Sequence, residues 1–151
     1  MRTVKEMLDS KYKPNNYTTP ASLVIDALRK LNDLNLSYLI VMESDAYKGI
    51  FTERDYTRNV VLKGKSSKEA TVQEVMTTNL PQVAPAQTVE DCMYMMNTKG
   101  ARYLAVFEDD HFLGIITIHD ILREVIANKE YVFDHTLTNS LLDNDESGKV
   151  F

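Results

Sequence analysis

The chain contains one pattern twice, and the two copies are 65 residues apart. Every residue from Tyr17 to Val61 pairs with the residue 65 positions later without a gap, and 16 of these 45 pairs are identical. So many identities at one fixed offset indicate a duplicated structural unit. A unit of roughly 60 residues is only marginally stable alone, so the two copies are expected to bury their apolar strands against each other.

The most similar stretches run from Gly49 to Asp55 and from Gly114 to Asp120. Each is a short apolar run that ends in Thr, with Asp three residues further on and a helical pattern behind it. A Thr at this place predicts a helix N-cap, and an Asp in the first turn suits the helix dipole. Capping alone would explain a single copy. The duplication favours two related polar sites.

Hydrophobic periodicity predicts the same order in both copies: short helix, strand, helix, two strands, helix. The second strands, Tyr38–Met42 and Tyr103–Phe107, are almost entirely apolar, which is typical of strands buried on both faces. Ser22 and Thr88 are predicted to cap the helices that follow them.

Composition excludes several functions. The net charge of -5 argues against broad binding to nucleic acid or to anionic membranes. The single cysteine, Cys92, excludes an internal disulfide or a Cys-based zinc site, and three scattered His residues make no metal site. An apolar run of membrane-spanning length and the apolar region of a signal peptide are both missing, so the expected location is the cytoplasm.

Beyond the second copy, Leu137, Leu141 and Leu142 continue a helical spacing. They predict that the last helix extends to about Leu142 and packs either on the repeats or on another copy of the chain. The expected organisation is repeat 1 over residues 1–64, repeat 2 over 65–128, and a helical extension with an acidic tail over 129–151.

The repeated stretch, from about Val4 to Asn128, resembles a tandem CBS-domain pair, also called a Bateman module, of the small stand-alone kind. This resemblance implies an α/β fold of two tandem CBS repeats packed with pseudo-two-fold symmetry. It further implies regulation of another protein without catalysis, a homodimer, and an adenosine nucleotide as ligand. AMP is the first expectation, with ATP, ADP and NAD(H) as alternatives, and no cofactor is required.

The resemblance also assigns site residues. It places Thr52 and Asp55 in one ligand cleft and Thr117 and Asp120 in the other, where each Asp would bind a ribose diol. Arg102 stands at a phosphate-binding position of the Asp120 cleft, whereas the equivalent residue of repeat 1 is Ser37. The remaining expected contacts are Tyr17, Thr18 and Leu36 for the base in the Asp120 cleft, Val83 and Ala101 for the base in the Asp55 cleft, Arg54 and Arg58 for phosphates on the Asp55 side, and His119 on the other side.

Two rival functions remain open at the level of sequence. The first is a structural or interaction module that binds no ligand. The second is an enzyme, which would need a nucleophile placed with a base and an orienting group, and the motifs predict no such set.

Overall fold

A computed structural model describes residues 2–128 and 139–143, which form two compact units. The first, Tyr12–Asn79, is called the Asp55 unit below. The second, called the Asp120 unit, combines the described residues up to Lys11 with those from Leu80 onward. The predictions for residues 129–138 and 144–151 lie outside the described residues.

Each unit holds a three-stranded sheet with the same order and the same register. In the Asp55 unit, β1 (Tyr17–Thr18) pairs in parallel with β2 (Tyr38–Glu43), which pairs antiparallel with β3 (Ala46–Thr52). In the Asp120 unit, β4 (Gln82–Val83), β5 (Tyr103–Glu108) and β6 (His111–Thr117) repeat this arrangement. Tyr38 faces Thr52 as Tyr103 faces Thr117. The structure therefore confirms the predicted α/β class and the duplicated element order.

Helices cover these sheets. They are α1 (Val4–Ser10), α2 (Val24–Leu34), α3 (Glu53–Tyr56), α4 (Val72–Val75), α5 (Val89–Lys99) and α6 (Ile118–Ala127). A π-helical segment, Thr57–Val61, follows α3 at the place where α6 stays α-helical. The last helices of the two repeats therefore differ in backbone geometry.

The short helices pack across the boundary between the sequence repeats. Val4 and Met7 of α1 belong to the apolar core of the Asp120 unit, while Val72 and Val75 of α4 belong to the core of the Asp55 unit. Backbone hydrogen bonds of 2.8 Å fix both, from the amide of Val4 to the carbonyl of Gln87 and from Val72 to Ser22. The duplication in sequence and the compact units are thus divided at different residues.

Two local predictions meet different outcomes. Ser22 does not cap α2, because the N-cap residue is Leu23, which makes no side-chain cap, and the Ser22 hydroxyl bonds to that of Thr19. Residues 139–143 are helical, and Leu141 is buried in the core of the Asp120 unit. The prediction that the last helix continues unbroken to about Leu142 is wrong, because α6 ends at Ala127 and Asn128 is not helical. Of the two predicted packing alternatives, Leu141 packs on the Asp120 unit.

Candidate functional site

The predicted Thr–Asp pair of the Asp55 unit forms a capping box at the start of α3. The Thr52 amide donates to the Asp55 carboxylate at 2.9 Å, and the Asp55 amide donates to the Thr52 hydroxyl at 3.1 Å. Both side chains are buried. The backbone supports this place from the neighbouring strand, since the Glu53 amide donates to the Ser37 carbonyl at 3.3 Å.

The pair in the Asp120 unit repeats this geometry at the start of α6. The Thr117 amide lies 2.8 Å from the Asp120 carboxylate, and the Asp120 amide lies 3.2 Å from the Thr117 hydroxyl. The Ile118 amide donates to the Arg102 carbonyl at 2.8 Å. The backbone of Arg102 therefore lies beside the start of α6, which carries Thr117 and Asp120.

The two carboxylates differ in their third partner. At Asp55, the Thr77 hydroxyl donates to Oδ1 at 2.8 Å. At Asp120, the Lys11 ammonium donates to Oδ2 at 2.8 Å and also to the Ile115 carbonyl at 2.9 Å. A neutral hydroxyl thus serves one site, whereas a cation serves the other.

Both third partners come from the chain directly behind a short helix. Lys11 is the C-cap residue directly after α1, and Thr77 is two residues beyond α4. A second cation, Arg123, reaches Asp120 Oδ1 at 3.3 Å, although its own side chain is 75% exposed. The packing of α1 and α4 thereby determines what each carboxylate contacts.

Burial raises the pKa of the Asp55 carboxyl above its ordinary value. Hydrogen bonds from Thr77 and Thr52, and the positive charge of Arg58, act in the opposite direction but are weaker than desolvation. Asp55 is therefore a carboxyl group for which ionisation is costly.

The other predicted contacts lie as follows. Arg54 is half-buried on α3, Arg58 is exposed, and His119 is exposed in the first turn of α6. Tyr17 and Thr18 form β1, and Leu36 is half-buried before β2, all in the Asp55 unit. Val83 and Ala101 are buried in the Asp120 unit. The predicted base pockets, which combine residues of opposite repeats, stay predictions.

Sequence reasoning missed Lys11 and Thr77. Both fall outside the gap-free alignment of Tyr17–Val61 with its copy, so the repeat gave no signal for them. Arg123 could have been found, because it recurs as Arg58 at the equivalent position.

The described residues offer little for metal or thiol chemistry. Within residues 2–128 and 139–143, no group of three His, Cys, Asp or Glu side chains could hold a metal ion. Burial raises the pKa of the Cys92 thiol to about 12, so the thiol stays protonated and unreactive at neutral pH. In the same part of the chain, no helix is both long and apolar enough to cross a membrane.

A shallow groove of about 340 Å³ follows the exposed side of α5. Tyr94, which is 65% exposed, is the most prominent apolar side chain along it. Asp91, Met95 and Lys99 also line the groove, four residues apart, so they form one stripe on the helix.

Comparisons with known proteins agree with this repeated architecture. The CBS domain family model matches residues 72–127. A mitochondrial CBS domain-containing protein of Arabidopsis thaliana is 32% identical over 133 residues, which cover 82% of this chain and 65% of that protein. An uncharacterized protein of Methanopyrus kandleri is 31% identical over 107 residues, 70% of this chain and 55% of the relative. The chain thus spans less than two thirds of the length of these two relatives.

A solved structure shows the likeness in three dimensions. A protein with CBS domains from Burkholderia ambifaria MC40-6 superposes with a TM-score of 0.75 at 35% identity. The match covers 87% of this chain and 99% of the other. Sequence, repeat topology and three-dimensional similarity agree, and the chain belongs to the CBS-domain family.

Proposed function

We propose that this protein is a regulatory CBS-pair module that binds an adenosine nucleotide, with AMP as the first candidate and ATP, ADP or NAD(H) as alternatives. The observation that carries the proposal is the Thr–Asp box that recurs at a helix start in both units, buried and beside a strand end. A ribose presents two adjacent hydroxyls that can donate to the two oxygens of one carboxylate.

The acceptor capacity of Asp55 suits this role. Each carboxylate oxygen can accept two hydrogen bonds. Asp55 Oδ2 accepts from the Thr52 amide and Oδ1 from the Thr77 hydroxyl, so these contacts use half of that capacity. A diol that approaches the 7% of Asp55 that is exposed could add one bond to each oxygen.

We assign phosphate binding to side chains rather than to the backbone amides at the helix starts. In each unit the amides of the N-cap residue, the first residue and the third residue of the helix already donate to Asp, to a carbonyl and to Thr. Amides at a helix N-terminus can bind phosphate, but these are largely used within the protein. Arg102, next to the α6 start, is the stronger phosphate candidate.

The test is calorimetric titration of the full chain with AMP, ATP and NADH, together with Asp55→Ala and Asp120→Ala. We expect each substitution to weaken nucleotide binding while the fold is retained. Glu6→Ala is the matched control, because Glu6 forms the same capping box with Thr3, with bonds of 3.3 and 3.2 Å, outside the proposed nucleotide sites. Binding that responds equally to all three substitutions would contradict the ribose role.

The second candidate is an interaction module that works without a ligand. The capping boxes at Thr88–Asp91 and Thr3–Glu6 favour it, since they show this chain using the same geometry where no ligand is proposed. Absence of heat and of a thermal shift at millimolar nucleotide would support this candidate against nucleotide binding.

Regulation would follow from a population shift, in which the nucleotide binds one conformation of the chain better than another and a protein partner reads the difference. In this proposal the chain binds the nucleotide and does not convert it chemically. A reducing compartment such as the cytoplasm fits the single buried thiol of Cys92.

We also propose a homodimer formed through the α5 groove, because its charges are self-complementary. In an antiparallel α5 pair centred on Met95, Asp91 of one copy would face Lys99 of the other, and Met95 would face its own equivalent. Light scattering tests this. Tyr94→Asp is expected to give monomers, whereas Tyr12→Asp, at a tyrosine that is 84% exposed in the Asp55 unit, is expected to leave the dimer intact. Equal behaviour of the two variants would contradict this interface.

A further inference from the structure

The Lys11 side chain is placed as part of the Asp120 site. It is 15% exposed, although a lysine on a surface is usually well solvated. Its ammonium carries three N–H donors. One contacts Asp120 at 2.8 Å and another the Ile115 carbonyl at 2.9 Å, so these two contacts leave the third N–H unused.

The two sites consequently differ in charge. Asp120 contacts two cations, Lys11 and Arg123, which together exceed its own negative charge by one. Asp55 instead accepts from the Thr77 hydroxyl and the Thr52 amide, which are neutral donors, and the charge of Arg58 acts on it without the second cation that Lys11 supplies to Asp120. A site with surplus positive charge favours an anionic ligand, and a partly buried charge is screened less than an exposed one.

The two carboxylates also differ in how many further hydrogen bonds they can accept, and Asp120 can accept fewer. Asp120 Oδ2 accepts from both the Thr117 amide and Lys11, so its two lone pairs are used. The ribose diol of either a nucleoside or a nucleotide would have to displace one of these donors to reach both oxygens, so binding at Asp120 depends more on a contact elsewhere in the ligand. Asp55 requires no such displacement.

We propose that Lys11 is a specificity-determining residue of the Asp120 site and restricts it to phosphorylated ligands, with its third N–H binding a phosphate oxygen. This inference rests on the proposed nucleotide binding. The Asp55 site, where Thr77 takes the place of Lys11, accepts phosphorylated and uncharged nucleosides more evenly. The chain would then hold one site that reads the phosphate and one that reads chiefly the nucleoside.

The experiment compares AMP with adenosine in calorimetric titrations of the full chain, in the wild type and in the Asp55→Asn background that weakens the other site. Lys11→Met is expected to weaken AMP binding about tenfold and to leave adenosine binding unchanged or tighter, because a charge-assisted bond to phosphate is lost. Lys11→Arg keeps the charge and is expected to retain the preference for AMP. Lys5→Met, at an exposed lysine on α1, is the matched control.

Three outcomes decide the matter. Lys11→Met that changes the AMP-to-adenosine ratio, with rescue by Lys11→Arg, supports the inference. An equal effect on both ligands, or none, overturns it while nucleotide binding itself stands. A wild type that binds neither ligand overturns the proposed function and this inference together. Lys11→Gln, which keeps a donor for Asp120, supplies the same comparison if Lys11→Met does not fold by circular dichroism.

Discussion

The Lys11 ammonium lies 2.8 Å from the Asp120 carboxylate, although 109 positions of sequence separate the two residues. Removing one partner of a buried ion pair leaves the other charge poorly compensated. We expect Lys11→Met to lower the free energy of unfolding by about 1–3 kcal/mol, less than for a fully buried pair because Arg123 remains and water can reach the site. Urea denaturation measures this.

A double-mutant cycle with Asp120→Asn separates the pair from other effects of the substitution. The cost of the double variant should be smaller than the sum of the single costs, because either change alone removes the interaction. Lys5→Met breaks the exposed pair with Asp9 and should have little effect. Equal losses from Lys11→Met and Lys5→Met would contradict the assigned role.

The raised pKa of Asp55 predicts a pH dependence of stability. Since desolvation lifts the folded-state pKa above the unfolded value of about 3.8, the folded state binds the proton more tightly. This contribution is fully present below the unfolded pKa and is lost as the pH rises through the folded pKa. Relative to Asp55→Asn, the wild type should therefore lose stability as the pH rises from about 3.8 and then level off. Denaturation of both proteins over a pH series checks this, and a relative gain would contradict it.

The repeat and the capping boxes could be predicted from sequence, whereas the third partners of the two Asp residues could not. Thr52 and Asp55 recur at a fixed offset and cap a helix locally, so short-range rules describe them. Lys11 and Thr77 reach their carboxylates through the packing of α1 and α4, which depends on long-range burial of Val4 and Val72. Ser22 was wrongly expected to cap α2 for a local reason, since the fixed offset of 65 pairs Leu23, and not Ser22, with Thr88. In the structure, Leu23 is the N-cap residue of α2, as Thr88 is of α5.

The placement of the short helices predicts which part of the chain each one stabilises. Val4 and Val72 are both fully buried, but in the cores of different units. Each Val→Ala change should cost about 2 kcal/mol. Hydrogen exchange should show that Val4→Ala lowers amide protection mainly over residues 80–127, and Val72→Ala mainly over residues 17–61. Loss in each helix's own sequence repeat would instead contradict the observed units.

The two motif glycines should differ in their tolerance of alanine. A Cβ at Gly49 would lie 2.2 Å from the Thr77 carbonyl oxygen, which is backbone and cannot yield cheaply. A Cβ at Gly114 would lie 2.8 Å from Leu8 Cδ1, the end of a flexible side chain. We expect Gly49→Ala to destabilise by about 3 kcal/mol and Gly114→Ala by about 1 kcal/mol. Thermal denaturation gives the ranking, and the reverse order would contradict the described contacts.

Two adjacent leucines of the C-terminal segment provide a matched test of how it packs. Leu141 is 5% exposed and belongs to the core of the Asp120 unit, whereas Leu142 is 46% exposed. Leu141→Ala should lower the free energy of unfolding by about 2–4 kcal/mol through lost burial and a cavity, while Leu142→Ala should cost less than about 1 kcal/mol. The difference should be confined to the Asp120 unit. Amide protection over residues 80–127 should fall for Leu141→Ala but not for Leu142→Ala. Similar small effects from both substitutions would mean that residues 139–143 contribute little to that core in solution.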